Sequence, residues 1–176
     1  MIVLQTRVPA ACTAALAGAA LSVAGLLMQT TFDNPLAGPS ILGVSTGASL
    51  GVAVVMLAMG GALGFVGRSA VLGGALVGAM GVMAVLVVMS SLVRSSAMLL
   101  IVGILVGYLS SSAISLLNFF ATQEGVHSYV IWGMGNFYAV SMAELPLFTG
   151  LCLGLMALSM LFVKPLNALL LGQSYA

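Results

Sequence analysis

Gln29-Thr-Thr-Phe-Asp-Asn-Pro-Leu-Ala-Gly-Pro-Ser-Ile-Leu-Gly-Val-Ser-Thr-Gly-Ala-Ser-Leu-Gly51 is a polar reversal set between two long apolar runs. It holds Asp33, one of three acidic residues, with Pro35 and Pro39, two of the five prolines. The residue before a proline is pushed out of the helical region, and Asn-Pro favours a turn, so the chain turns around here. After Pro39 the apolar pattern resumes on Gly43, Gly47 and Gly51. That four-residue spacing keeps small residues on one helix face, where two backbones can approach closely in lipid.

The surrounding composition leaves one class open. The chain has 176 residues, 62% hydrophobic and only 4% charged, with a mean hydropathy of +1.28. Soluble domains carry about a quarter charged residues, so this chain cannot cover a water-facing surface and reads as an integral membrane protein. A net charge of +1 excludes a basic nucleic-acid surface. Arg7, Asp33, Arg68, Arg94, Glu124, Glu144 and Lys164 punctuate the apolar runs rather than interrupting them. That follows from a cost of roughly 3 kcal/mol for a charge at mid-membrane.

Taken in order, Val8–Thr30 reads as the first span, Thr31–Ser40 as the turn and Ile41–Phe65 as the second span. Ala70–Ser90 and Ala97–Ala121 read as the third and fourth spans, each about the length that crosses a hydrocarbon core. Tyr129–Val140 is too short to cross and rich in Tyr, Trp and Phe. It reads as an interfacial or re-entrant helix broken by Gly133 and Gly135. Leu145–Val163 is the fifth span, and Lys164–Ala176 reads as a water-facing tail. The fold class expected is an all-α integral membrane protein, a polytopic bundle of about five transmembrane helices plus one short interfacial helix. Charge does not orient it, because Arg94 and Lys164 fall on one side and Arg7 and Arg68 on the other. No basic leader or cleavage pattern marks a signal peptide.

Further small-residue strips lie at Gly74 with Gly78, and at Gly103 and Gly107 continued by Ser111 and Ser115. The fourth span also carries Ser110, Ser112 and Asn118 after Tyr108. This polar run is either harmless packing or the lining of a wet path, as in a transporter or channel. No catalytic set is present. His127 with Glu124 three residues before it is a weak two-ligand pattern, and the Met56/Met59 and Met80/Met83 pairs read as apolar filler. Cys12 and Cys152 read as small packing residues. No glycine loop with lysine could cradle a nucleotide phosphate. No cofactor or metal is expected.

Several segments together resemble one family: Arg7-Val-Pro9, Gly18-Ala-Ala-Leu-Ser-Val-Ala-Gly25, Gln29, Asn34-Pro-Leu-Ala-Gly-Pro39 and Leu42-Gly-Val-Ser-Thr-Gly-Ala48. They look like the permeases of ABC importers for iron–siderophore complexes, haem and vitamin B12 (the FecCD type). Trp132-Gly-Met-Gly-Asn-Phe137 and Leu166-Asn-Ala-Leu-Leu-Leu-Gly172 resemble later segments of that family, in the same order.

The resemblance implies a multi-pass protein of the cell inner (plasma) membrane with the Asn-Pro-Leu-Ala turn in the cytoplasm. It implies a match to spans two to six of ten, as a fragment, a truncated reading frame or half of a split permease. Its implied partners are a second permease copy, ATP-binding subunits on the cytoplasmic side, a periplasmic or lipoprotein substrate-binding protein and the bilayer. Arg7 matches the first of two docking arginines, and Ala10 stands where the second would be. Asn34, Leu36, Ser95 and Ser96 match positions near a cytoplasmic gate, with Ser111, Ser115 and Asn118 on the path-lining candidate. Asn167, Gly172, Gln173 and Ala176 match the start of the ATPase-coupling segment, residues 164–176. The cargo is not readable. A channel or secondary carrier is the alternative, disfavoured by the lack of intramembrane ionisable residues. A non-transporting remnant is another.

Overall fold

The computed structural model describes residues 3–59, 67–93 and 95–170, and all its regular elements are helical. They are α1 (Val8–Phe32), α2 (Val44–Ala53), α3 (Arg68–Leu92), α4 (Ser96–Phe120), α5 (Gln123–Gly133), α6 (Leu145–Ser159) and α7 (Val163–Leu170). A π-helical turn, Val3–Arg7, leads into α1, and another, Val54–Met59, extends α2. Short 3-10 turns at Phe137–Ala139 and Met160–Phe162 precede α6 and join it to α7. Four described stretches are long and apolar enough to cross a membrane: Gln5–Phe32, Arg68–Leu92, Ser96–Phe120 and Leu145–Leu170. At 1.5 Å per residue, 25 residues span about 37 Å, more than a hydrocarbon core. Val44–Leu57 is a shorter apolar helix.

The chain forms two compact units. In the first, α1 packs against α6 and α7, and the Phe137–Ala139 turn sits on α1. Pro146 lies in the first turn of α6, where a missing N–H breaks no helical bond, and Pro9 lies where the π-helical turn passes into α1. Pro9, Ala10 and Thr13 form the buried start of α1. Hydroxyls elsewhere on this helix satisfy themselves, Ser22 on the Gly18 carbonyl at 2.8 Å and Thr31 on that of Leu27 at 2.7 Å.

In the second unit, α2 packs on both α3 and α4, with α5 under the far end of α2. The contacts bring backbone against backbone, with the Val82 and Val55 methyls beside Gly47 and Gly74. A Cβ on Gly74 would lie 2.8 Å from the Gly51 carbonyl oxygen, and one on Gly47 would lie 2.8 Å from that of Gly78. Falling numbers on α3 meet rising numbers on α2, so the pair is antiparallel. A Cβ on Gly43 would lie 2.7 Å from the Gly103 oxygen, and one on Gly103 would lie 2.9 Å from Leu42 Cα. The expected single strip on the second span thus divides: Gly47 and Gly51 seat α3, and Gly43 seats α4. Gly103 and Gly107 are packed, but Ser111 and Ser115 leave the seam and are exposed, while Ser110 is buried. A four-residue step on a 3.6-residue helix advances about 40°, so the strip turns out of the contact within two steps.

Boundaries shift where local signals override the apolar pattern. The second span starts at Val44 rather than Ile41, because Gly43 is left-handed (φ +76°) and closes the turn; residues 60–66 of that expectation lie outside the described residues. The interfacial helix begins at Gln123, six residues early, where the Thr122 hydroxyl caps the Gly125 N–H at 3.2 Å. It breaks at left-handed Gly135 (φ +75°). The expected tail from Lys164 is helical to Leu170, so the last apolar helix is longer than Leu145–Val163.

Candidate functional site

The opening turn is built by two asparagine-region bonds and one unusual backbone. Among the described residues, Asp33 is the only non-glycine with positive φ (46°). It terminates α1 in the left-handed conformation that usually selects glycine. The Asp33 N–H donates to the Thr30 carbonyl at 3.3 Å and the Asn34 N–H to that of Gln29 at 3.0 Å, capping the end of the helix. The Asn34 Oδ1 then accepts the Leu36 N–H at 2.9 Å across Pro35. Asn34 is half-buried in doing so, and Leu36 is 74% exposed. Beyond it the Gly38 carbonyl accepts from Ile41 and Leu42, both at 3.1 Å, and that of Pro39 from Val44 at 3.1 Å.

The second candidate is the exposed face of α4. At 100° per residue, Ile101, Ile104, Leu105, Tyr108, Ser112, Ser115, Leu116 and Phe119 share one side, and each is exposed. Leu100, Gly103 and Ser110 are buried on the other. The Ser112 hydroxyl donates to the Tyr108 carbonyl at 2.9 Å and that of Ser115 to Ser111 at 3.0 Å. With their protons spent on the backbone, these serines present oxygen lone pairs on a face without charge. Tyr108, 69% exposed, belongs to this face and was not among the sequence candidates. Its four-residue relation to Ser112 was the available signal. Asn118 lies on the flank, half-buried, with its Oδ1 enclosed and unpartnered among the described residues.

Ser95 is the N-cap residue of α4 and Ser96 its first residue; both are exposed, and the Ser95 side chain makes no capping bond. Asn34 and Leu36 belong to one compact unit, and Ser95 and Ser96 to the other. Arg7 is exposed at the opposite end of α1 from the turn. Ala10, beside it, is buried. Asn167 lines an apolar groove of about 610 Å³ with Thr30, Leu27, Met156, Met160 and Leu170. Gly172, Gln173 and Ala176 lie outside the described residues, as does Arg94.

On α5, the Tyr129 and Trp132 rings stack at 6.1 Å and 25°, and partial burial pushes the Tyr129 phenol up from its usual range. His127 and Glu124 are exposed, and no three metal-ligating side chains converge among the described residues. Cys12 and Cys152 are free thiols.

Three comparisons bear on this geometry. A family model described as the FecCD transport family matches residues 1–176. The vitamin B12 import system permease protein BtuC of Salmonella paratyphi A is 31% identical over 184 residues, covering 100% of this chain and 53% of its own length. BtuC of Klebsiella pneumoniae is 32% identical over 180 residues, covering 98% and 51%. This chain therefore spans about half the length of the curated relatives it matches. A solved structure described as an inward-facing conformation of an ABC transporter, assigned to the metal-chelate type, superposes with a TM-score of 0.82 at 28% identity. The match covers 96% of this chain and 52% of that one.

Proposed function

Because the chain belongs to the FecCD transport family along its whole length, we propose that it forms the membrane-spanning path of an ATP-driven importer. It acts as a multi-pass subunit of the inner membrane, with ATP hydrolysed on separate cytoplasmic subunits. A second permease copy closes the path, and a binding protein delivers cargo near Arg7. The cargo is a large chelate or corrinoid such as an iron–siderophore complex, haem or cobalamin. Asn34, Leu36, Ser95 and Ser96 stand at the inner mouth, and residues 164–176, with Asn167, Gly172, Gln173 and Ala176, begin the ATPase contact.

The observation that carries this reading is the exposed face of α4. It sets the oxygens of Tyr108, Ser112 and Ser115 among apolar side chains, and it has no acidic or basic side chain to couple to an ion gradient. Uncharged oxygens and apolar carbons offer a bulky cargo contact without a deep binding well.

The test is uptake of radiolabelled cyanocobalamin or a ferric chelate into vesicles holding the chain with its companion subunits. Uptake should require ATP and fall at least tenfold in Ser95→Trp, with membrane insertion unchanged. ATP-independent uptake would point to a channel or carrier. An intact assembly with no uptake of any such cargo would make the chain a non-transporting remnant.

A further inference from the structure

Asn34 and Leu36 stand together in the proposed inner mouth, but their geometry divides the work between them. The Asn34 side-chain oxygen is already engaged within the turn. It is held by the Leu36 N–H at 2.9 Å, and the residue is half-buried. Leu36 carries no side-chain polar group and is 74% exposed. Between them Pro35 has no N–H and a fixed φ, so it neither competes for the Asn34 oxygen nor lets the turn swing widely. Before them, the bonds from Asp33 to Thr30 and from Asn34 to Gln29 fasten the turn to the last carbonyls of α1. The position of Leu36 is thus referred back to a long helix through a chain of three hydrogen bonds.

We infer that Asn34 is a positioning residue: its side-chain oxygen holds the turn that projects Leu36, and Leu36 alone is the apolar stop. This assignment rests on the permease reading for the word stop, and on the hydrogen-bond geometry for the word positioning. The same device recurs in this unit, where the Asn136 Oδ1 accepts the Tyr138 N–H at 2.7 Å and sets up the Phe137–Ala139 turn, with Phe137 and Tyr138 both exposed. An asparagine in such a turn can be exchanged for another acceptor of the same length. A residue that touches cargo through its amide N–H₂ cannot.

The experiment separates these roles. Leu36→Cys, in a Cys12→Ala/Cys152→Ala background, is labelled with a nitroxide and the chain reconstituted in phospholipid vesicles. The backbone N–H of residue 36 survives the substitution, so the bond from Asn34 is retained. Losing one such bond should raise the mobile spectral fraction by about threefold in Asn34→Ala, and Asn34→Asp, which keeps the acceptor, should restore the ordered spectrum. A label at Ser40→Cys, exposed farther along the loop, should not respond. An unchanged spectrum in Asn34→Ala overturns the inference. So does an Asn34→Asp spectrum matching that of Asn34→Ala, or an equal response at residue 40.

The permease reading is tested apart from this by leak of trapped carboxyfluorescein from vesicles holding the assembled importer without ATP. Leu36→Ala and Asn34→Ala should both leak, and Asn34→Asp should stay tight. If the spin-label pattern holds while Leu36→Ala is tight, the turn is positioned as stated and its role as a stop is refuted.

Discussion

Gly51→Ala is the sharpest perturbation of the α2–α3 contact. The added methyl would fall on the Gly74 carbonyl, with the Gly78 Cα 3.2 Å away. Both are backbone, so no rotamer change makes room and the helices must separate. Overpacking of this kind costs about 1–3 kcal/mol. Gly73→Ala is the control: it adjoins Gly74 on the same helix, but a Cβ there meets nothing within 4 Å. It should be neutral or stabilising by up to about 1 kcal/mol, the helix preference for Ala over Gly. The two variants should therefore differ by about 1–4 kcal/mol. Reversible unfolding in mixed micelles, followed by helical circular dichroism against the mole fraction of SDS, measures the difference directly. If Gly51→Ala and Gly73→Ala agree to within about 0.5 kcal/mol, the scatter of neutral substitutions, the backbone seam does not hold this unit together.

Asp33→Gly should stabilise the chain by about 1 kcal/mol in the same titration, since it relieves a left-handed side chain and removes an acid from a helix C-terminus. Thr13→Val should be neutral or stabilising by about 1 kcal/mol, because the Thr13 hydroxyl is buried with no partner among the described residues and valine keeps its shape. A marked loss would mean that the hydroxyl is paired. Thr122→Ala should cost about 1 kcal/mol of local stability through the lost cap on Gly125. Hydrogen exchange of the first turn of α5 should quicken while that of α3 stays constant.

The apolar runs made the membrane class, four long helices and the position of the reversal legible, because hydropathy and length act over twenty residues at a time; the fifth expected span, Ile41–Phe65, is a shorter apolar helix, Val44–Leu57, among the described residues. Single-residue geometry was less so. Ile41 and Leu42 are as apolar as the helix that follows, and only a left-handed Gly43 keeps them out of it. Thr122 starts α5 through one hydroxyl, a signal hidden beside the aromatic residues that drew the expected boundary to Tyr129. At the candidate site, Asn34 and Leu36 were readable as neighbours in a turn. Their division of labour depends on which atom faces the Leu36 N–H, and composition does not encode that. The serines of α4 were recognised as a polar run, but the phase of the helix was needed to sort exposed Ser112 and Ser115 from buried Ser110 and to add Tyr108.

The glycine seam between α2 and α3 also limits how this unit can deform. Where side chains interdigitate, two helices can shear by small steps as rotamers readjust. Here the bumps are carbonyl groups and the stiff β-branched Val55 and Val82, and the recesses are absent side chains, repeated every four residues at Gly47 and Gly51 against Gly74 and Gly78. The next matching register is a whole repeat away, about 6 Å along the axis. Short of that jump the pair behaves as a strut, carrying force along the α2–α3 axis without absorbing it. Any rearrangement that opens one face and shuts the other must then be taken up at joints built from turns, such as left-handed Gly43 and Asp33.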